Sequence, residues 1–137
     1  MADLIGQRLG PYRLDAVVGR GGMATVYRAR QASFDRDVAI KVMDAALSQN
    51  DEFLARFERE AQVIERLEHP HILPVIDFGR DGAHVYLVMR LIEGGTLSTR
   101  LGDGMLSLAQ IDRLTTQIAA ALDYAHRRGV VHRDLKP

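Results

Sequence analysis

The order in which the hydrophobic spacing changes along the chain limits its fold more than any other feature. Short strand-like runs come first, at residues 12–18, 25–30 and 38–43. The spacing becomes helical over residues 51–67, where one face carries Phe53, Phe57, Ala61, Ile64 and Leu67. Two strand-like runs follow at residues 72–78 and 83–89, and Arg80-Asp81-Gly82 is typical of the turn between them. This order predicts an α+β unit with a five-stranded antiparallel sheet.

The remainder of the chain is predicted to be helical. Gly94 and Gly95 break the strand pattern and indicate a linker, followed by a short helix over residues 96–101. Ser107 and Gln110 have the spacing of a capping box at the start of a longer helix, and Gly129 is typical of its end. Its apolar stripe is Ile111, Leu114, Ile118, Leu122 and Ala125. We therefore expect two parts, residues 12–93 and 94–137.

Composition excludes several classes of function. Equal numbers of basic and acidic residues, 18 each, give no reason to expect a nucleic-acid partner. The chain has no cysteine, and its five histidines lack the spacing of metal ligands. We see no signal peptide, and the apolar runs are far too short to cross a membrane.

The glycine cluster between the first two strands is the first segment with chemical meaning. Backbone without side chains at Gly19, Gly21 and Gly22 can approach phosphate oxygens and offer N–H donors. An alternative is that the turn merely needs glycine for positive φ. The segment is not a Walker A loop, because no Gly-Lys-Ser/Thr follows, and the strand after it argues against a Rossmann turn.

A lysine in the third strand is the second candidate. Ala39 and Lys41 lie two residues apart on a strand and so share a face, where a flat ring has room beside the alanine and the lysine can reach phosphates. A solvated edge lysine is the alternative. Because its strand is apolar, we expect the ammonium to be buried and to need a charged partner. Glu60 on the following helix is the candidate, although it could equally be a surface residue.

The last six residues are the most specific segment: His132-Arg133-Asp134-Leu135-Lys136-Pro137. An aspartate here can accept a hydroxyl proton, and a lysine two residues later can neutralise a phosphoryl group in transfer. A polar loop after a helix is the alternative.

Together these segments resemble the protein kinase family, most closely its bacterial serine/threonine branch. The glycine loop, the Val38-Ala39-Ile40-Lys41 strand, a helix glutamate 19 residues later and His-Arg-Asp have the order and spacing of the family. The runs 21–27, 69–72 and 94–97 are similar to bacterial members. The resemblance covers residues 10–137, about half of a family domain. It implies a kinase N-lobe, with a five-stranded antiparallel sheet and one helix, followed by the first helices of a truncated C-lobe.

The resemblance also implies roles for individual residues. Val26 and Ala39 would sandwich adenine, Met89 looks like the gatekeeper, Lys41 would hold the α- and β-phosphates and pair with Glu60, and Arg133 resembles the arginine that pairs with a phosphorylated activation loop. The Arg90 carbonyl and the Ile92 N–H would bind the adenine edge, with Thr96 near the ribose. The implied catalytic residues are Asp134 as base, Lys136 as the γ-phosphate contact, Lys41 and Glu60. The implied ATP-binding residues are Gly19, Arg20, Gly21, Gly22, Met23, Ala24, Thr25, Val26, Ala39, Lys41, Met89, Arg90, Ile92 and Thr96.

The chain departs from the family pattern in three places. Ala24 replaces the third loop glycine, and Arg90 replaces the usual acidic hinge residue. The chain also ends before the expected catalytic-loop asparagine and the Asp-Phe-Gly magnesium ligand, so we expect no metal ligand within it, although the family uses ATP and Mg²⁺. We therefore expect a kinase by family, with ATP and Ser/Thr proteins as partners and a cytoplasmic location, but no activity in this chain alone.

Alternatives are a pseudokinase-like module that binds nucleotide or a partner without catalysis, and a non-functional remnant. Because the last helix normally packs inside the larger lobe, we expect its apolar stripe to be exposed or to drive self-association.

Overall fold

A computed structural model describes residues 3–133 and 135–137 of the chain. It contains six strands, β1 (Arg8–Leu9), β2 (Tyr12–Arg20), β3 (Ala24–Gln31), β4 (Arg36–Met43), β5 (Val75–Asp81) and β6 (His84–Arg90). The α-helices are α1 (Ala45–Ser48), α2 (Asp51–Glu65), α3 (Leu97–Gly102) and α4 (Leu108–Arg127), and a 3-10 turn covers Ala32–Phe34. The predicted α+β class is confirmed.

The six strands form one antiparallel sheet in the order β1-β2-β3-β4-β6-β5. The predicted number of five strands is wrong, because β1 pairs with β2 through the tight turn at Gly10, whose φ is +54°. Two residues are too few to show a hydrophobic period. Strand β5 also starts three residues later than predicted. Pro74 cannot donate a ladder hydrogen bond, so pairing begins after it.

The sheet has a different core on each face. One face carries the larger cluster, in which Tyr12, Leu14, Tyr27, Ile40 and Val88 are almost completely buried. The opposite face carries Ala24, Met43 and Val85, and these contact the apolar side of α2. Strand alternation fixes these assignments, since neighbouring residues of one strand point to opposite faces.

Helix α2 packs on the sheet through Phe53, Leu54 and Phe57. Asn50 caps the helix by accepting a hydrogen bond from the Phe53 N–H at 2.9 Å. Asp51 and Glu52 occupy its first turn, where negative charge is favoured by the helix dipole. The predicted start of the helix at residue 51 is therefore confirmed, and Asn50 is its cap.

The chain forms two compact units. The first extends to residue 66 and includes residues 74–91, and the second contains residues 67–73 and 92–137. In the second unit the predicted capping box at the start of α4 is confirmed, since Ser107 and Gln110 exchange both hydrogen bonds. Gly129, at φ +78°, follows the end of the helix as predicted. Tyr124 of α4 accepts a hydrogen bond from the Glu68 N–H at 2.9 Å, which ties the short segment 67–73 to this unit.

Candidate functional site

Three strands of the first unit bring the glycine segment and the candidate lysine into one row across the sheet. Gly19 of β2 lies opposite Val26 of β3, and Val26 lies opposite Lys41 of β4. In the next row Ala39 lies opposite Met89. Residues directly opposite each other in an antiparallel pair share a face. The sheet therefore presents Val26, Ala39, Lys41 and Met89 on one side.

The row continues onto β6, where Leu87 lies opposite Lys41. Sequence reasoning missed this residue. The period-two pattern of β6 could have indicated it, because Val85, Leu87 and Met89 alternate with Tyr86 and Val88 of the opposite core. Leu87 adds an apolar wall beside the lysine stem.

Lys41 is exposed, although both its strand neighbours, Ile40 and Val42, are fully buried. The expectation that its ammonium is buried is therefore wrong. Ile40 and Val42 point into the larger core, whereas Lys41 points to the other face, where its flexible stem reaches solvent. An exposed ammonium does not need a charged partner for stability, so its exposure agrees with the alternative of a solvated lysine.

Glu60 lies on the same side of the sheet as Lys41, because α2 packs on the face that carries Met43, two residues from Lys41. Glu60 follows Phe57 by three residues and is exposed. Among the described residues, however, no ion pair joins Lys41 to Glu60 within 4.0 Å. Exposure of both groups explains this, since water solvates each of them and little is gained by pairing. Their pairing stays a prediction.

The glycine segment is a tight connection between β2 and β3. The Gly21 N–H donates to the Ala24 carbonyl at 2.9 Å, and the Asp44 N–H donates to the Met23 carbonyl at 3.0 Å. None of Gly19, Gly21 and Gly22 has positive φ. A Cβ at Gly19 or Gly22 would meet nothing within 4 Å, and one at Gly21 would meet the Ala24 carbonyl at an ordinary 3.5 Å.

The turn therefore does not require glycine at these three positions, and the alternative that glycine serves positive φ fails here. Another explanation for the three glycines is that backbone without side chains lets a ligand from outside the chain come close to it. This observation favours close contact with a ligand such as a phosphate group.

Other predicted ligand residues of this segment differ in what they present. Thr25 is buried, and its side chain points to the face opposite Lys41, so only its backbone can face a ligand on the lysine side. Arg20 is exposed, and its guanidinium lies 3.7 Å from the Asp3 carboxylate. Ala24 is buried against α2, and Met23 is exposed. Arg90 ends β6 with an exposed side chain.

The remaining predicted residues belong to the second unit. Ile92 is half exposed, and Thr96 caps α3 by accepting a hydrogen bond from the Thr99 N–H at 3.2 Å. Lys136 has an exposed side chain. Arg133 has a φ of +66°, a backbone conformation that arginine seldom adopts. Asp134 lies outside the described residues.

The letters Asp-Phe-Gly do occur in the chain, at Asp77, Phe78 and Gly79, but they lie inside strand β5. The Asp77 carboxylate accepts the Tyr12 hydroxyl at 2.8 Å and the Phe78 N–H at 2.9 Å. Gly79 leaves room for Tyr86, whose hydroxyl would lie 2.8 Å from a Cβ there. This tripeptide therefore supports the core. It also precedes His-Arg-Asp, so it does not take the position expected of a magnesium ligand.

Neither a metal cluster nor a membrane span is found in the described part of the chain. No three His, Cys, Asp or Glu side chains gather there as metal ligands, so these residues do not fit a magnesium ion by themselves. No helix of residues 3–133 and 135–137 is long and apolar enough to cross a bilayer.

Comparison with known proteins gives consistent results. Residues 12–137 match the family model of the protein kinase domain. The chain is 44% identical over 133 residues to serine/threonine-protein kinase PknE of Mycobacterium bovis, covering 96% of this chain and 24% of that protein. It is 43% identical over 134 residues to serine/threonine-protein kinase PknD of Mycobacterium tuberculosis, covering 97% of this chain and 20% of that protein.

A solved structure, a single-mutant form of the kinase domain of Mycobacterium tuberculosis PknI, is similar to the whole chain. The TM-score is 0.86 with 35% sequence identity, and the match covers 100% of this chain and 57% of the solved domain. The chain thus spans about a quarter of the curated relatives and just over half of the solved kinase domain. With its family model, relatives and fold in agreement, the chain belongs to the protein kinase family, in its bacterial serine/threonine branch.

Proposed function

We propose that this chain is the nucleotide-binding part of a serine/threonine protein kinase that transfers the γ-phosphate of ATP to Ser/Thr hydroxyls of proteins. The observation that carries the proposal is the row Gly19, Val26 and Lys41, with Ala39 beside it on the same face. Bare backbone at Gly19 and the exposed ammonium of Lys41 suit phosphates, and the apolar side chains of Val26 and Ala39 on the same face suit a base.

Each group has a separate task in this proposal. The ammonium of Lys41 holds the α- and β-phosphates and is itself oriented by Glu60. Val26 and Ala39, which lie on the same face of the sheet, pack against adenine. The Arg90 carbonyl and the Ile92 N–H take the hydrogen-bonding edge of the base, Thr96 contacts the ribose, and Met89 limits the depth of the pocket. Asp134 accepts the proton of the substrate hydroxyl, and Lys136 stabilises the γ-phosphate.

Protein kinases use magnesium as a cofactor, and the ion neutralises the charge of the phosphates. The Asp-Phe-Gly tripeptide of this chain lies in strand β5, where Asp77 is hydrogen-bonded to Tyr12 of the core. No asparagine follows Asp134 within the 137 residues. We therefore propose that the 137-residue chain alone binds nucleotide but does not transfer phosphate. As a separate part of the proposal, the chain acts in the cytoplasm.

Nucleotide binding tests the proposal directly. Calorimetric titration of the purified chain with ATP should show saturable binding, and Lys41→Ala should weaken it about tenfold or more, since a charge-assisted bond to phosphate contributes about 1.5–3 kcal/mol. Arg28→Ala is the matched control, because it removes another cation one row away on the same face. Equal affinities of the wild type and the Lys41 variant would refute the assigned phosphate contact.

Catalysis needs a separate assay. Radiolabelled ATP and a Ser/Thr protein substrate should give no transfer above background with the 137-residue chain, because phosphoryl transfer depends on metal neutralisation. Transfer that disappears in Asp134→Asn would contradict the proposed inactivity and leave the kinase assignment intact. ATP binding without transfer is also the result expected of a pseudokinase-like module, and absence of binding is expected of a remnant.

Self-association is part of the proposal. Ile111 and Ile118 of the predicted stripe are exposed, at 46% and 37%, and Leu108 at the start of α4 is 85% exposed. Ala125 is buried, so the stripe is best covered at its C-terminal end. Exposed apolar surface of this kind favours burial against a second copy of the chain.

A further inference from the structure

Three arginines stand side by side across β1, β2 and β3, away from the proposed nucleotide-binding row. Arg8 lies directly opposite Arg13, and Arg13 lies directly opposite Arg30. Opposite residues of an antiparallel pair have Cβ atoms about 4.5–5.5 Å apart, and like charges in such pairs repel. A row of three guanidinium groups therefore requires negative charge nearby.

Carboxylates of the chain meet this requirement unevenly. Arg13 pairs with Asp15 at 3.1 Å, and Arg30 pairs with Asp37 at 3.0 Å and with Asp35. Arg8 has no ion pair among the residues that the structure describes. The Asp35 side chain is 91% exposed, so its pairing contributes little stability and is readily exchanged for another anion.

The three arginines also line one cavity. It has a volume of about 240 Å³ and is lined by Arg8, Arg13, Arg30, Ala32 and Asp35. This is below the roughly 300–1,000 Å³ typical of sites for drug-sized ligands, so the cavity suits a small group. Guanidinium groups match the geometry of phosphate and carboxylate oxygens. A phosphate monoester offers three strong acceptor oxygens, one for each arginine, whereas a carboxylate offers two.

We propose that the cavity formed by Arg8, Arg13 and Arg30 binds a phosphate group, with Asp35 competing for Arg30 when the cavity is empty. Free phosphate and a phosphorylated Ser or Thr side chain present the same dianion to these arginines. The site is separate from the nucleotide row: Arg30 is four residues beyond Val26 on β3, about 13 Å along an extended strand.

The test is a phosphate titration of the 137-residue chain at constant ionic strength. Binding is monitored through the NMR signals of the arginine Nε–Hε groups. We expect saturable shifts of three arginine signals. Arg8→Gln should weaken binding about fivefold or more, and Asp35→Asn should tighten it about threefold, since charge-assisted bonds gain when a competing anion is removed. Asparagine tolerates the left-handed backbone of position 35, where φ is +48°, so the second variant keeps the fold.

Arg113→Gln, on helix α4, is the control and should leave phosphate affinity unchanged. Non-saturating shifts that chloride reproduces, unchanged affinity in Arg8→Gln, or weaker binding in Asp35→Asn would each overturn the site. A phosphothreonine peptide that binds more tightly than free phosphate identifies a phosphorylated protein as the ligand, and equal binding identifies the free ion. Lys41→Ala should not alter this binding, so the outcome is independent of the proposed kinase function.

Discussion

Lys41 differs in kind from nearly all other cations of the chain, because it and Lys136 are the two lysines among 18 basic residues. The remaining 16 of these 18 basic residues are arginines. A lysine ammonium is a compact point charge on a flexible stem, whereas arginine carries a wide planar fork. Lysine at these two positions therefore places a compact, flexible cation at the two sites for which we propose phosphate contacts.

The glycines of the β2–β3 connection allow stability and binding to be separated. Gly19→Ala and Gly22→Ala should keep or slightly raise the free energy of unfolding, by up to about 1 kcal/mol, because neither position has positive φ and alanine restricts the unfolded chain. The same variants should weaken ATP binding, since a methyl group keeps phosphate oxygens from the backbone. Urea denaturation and calorimetric titration measure the two effects.

Gly82→Ala is the matched control for these variants. Gly82 has a φ of +57° in the β5–β6 turn, so alanine there should lower stability by about 1 kcal/mol and leave nucleotide binding unchanged. Loss of stability in the Gly19 and Gly22 variants would show that these glycines serve the fold after all.

Among the elements, α4 has a well-defined start, but only part of its apolar side is covered by other residues. Its capping box and its buried residues Ala121 and Ala125 fix the helix, but Leu108 and Ile111 in its N-terminal half remain exposed. Helices in proteins gain most of their stability from packing of an apolar side. The exposed half therefore has a consequence that can be measured.

We expect the chain to associate at increasing concentration, and the double variant Ile111→Gln/Ile118→Gln to remain monomeric over the same range. Sedimentation velocity measures both. Thr116→Gln, exposed on another side of the same helix, should associate like the wild type. A wild type that stays monomeric at high concentration would exclude a role of this surface between copies.

For the whole molecule, the tyrosines of the larger core couple stability to alkaline pH. Burial and the hydrogen bond to Asp77 raise the pKa of Tyr12 above its ordinary value of 10.0, and burial together with the Asp77 and Asp81 charges raises the pKa of Tyr86. The folded state therefore retains these protons when the unfolded chain releases them. Their contribution is complete below pH 10 and is lost as the pH rises through the folded-state values.

Tyr12→Phe should consequently lose less stability above pH 10 than the wild type, while at pH 7 it should be less stable by about 2 kcal/mol, because it lacks a hydrogen bond to a charged acceptor. Urea denaturation at both pH values checks this. The control is Tyr27→Phe: its buried hydroxyl has no hydrogen-bond partner among the described residues, so stability at pH 7 should not fall. Parallel alkaline slopes for the wild type and Tyr12→Phe would show that Tyr12 is not responsible.

Local residue chemistry was enough to predict the types of the five longer strands and of helices α2, α3 and α4, and the capping box of α4, since spacing and capping act over a few neighbouring positions. It also supplied the residues proposed for the site. The family could also be predicted from the sequence, because the order and spacing of the motifs can be read without a structure. Strand β1, the core environment of Asp77-Phe78-Gly79 and the exposure of Lys41 required the tertiary structure. They depend on which strands pair and which face each residue meets, and these are contacts between positions far apart in the chain.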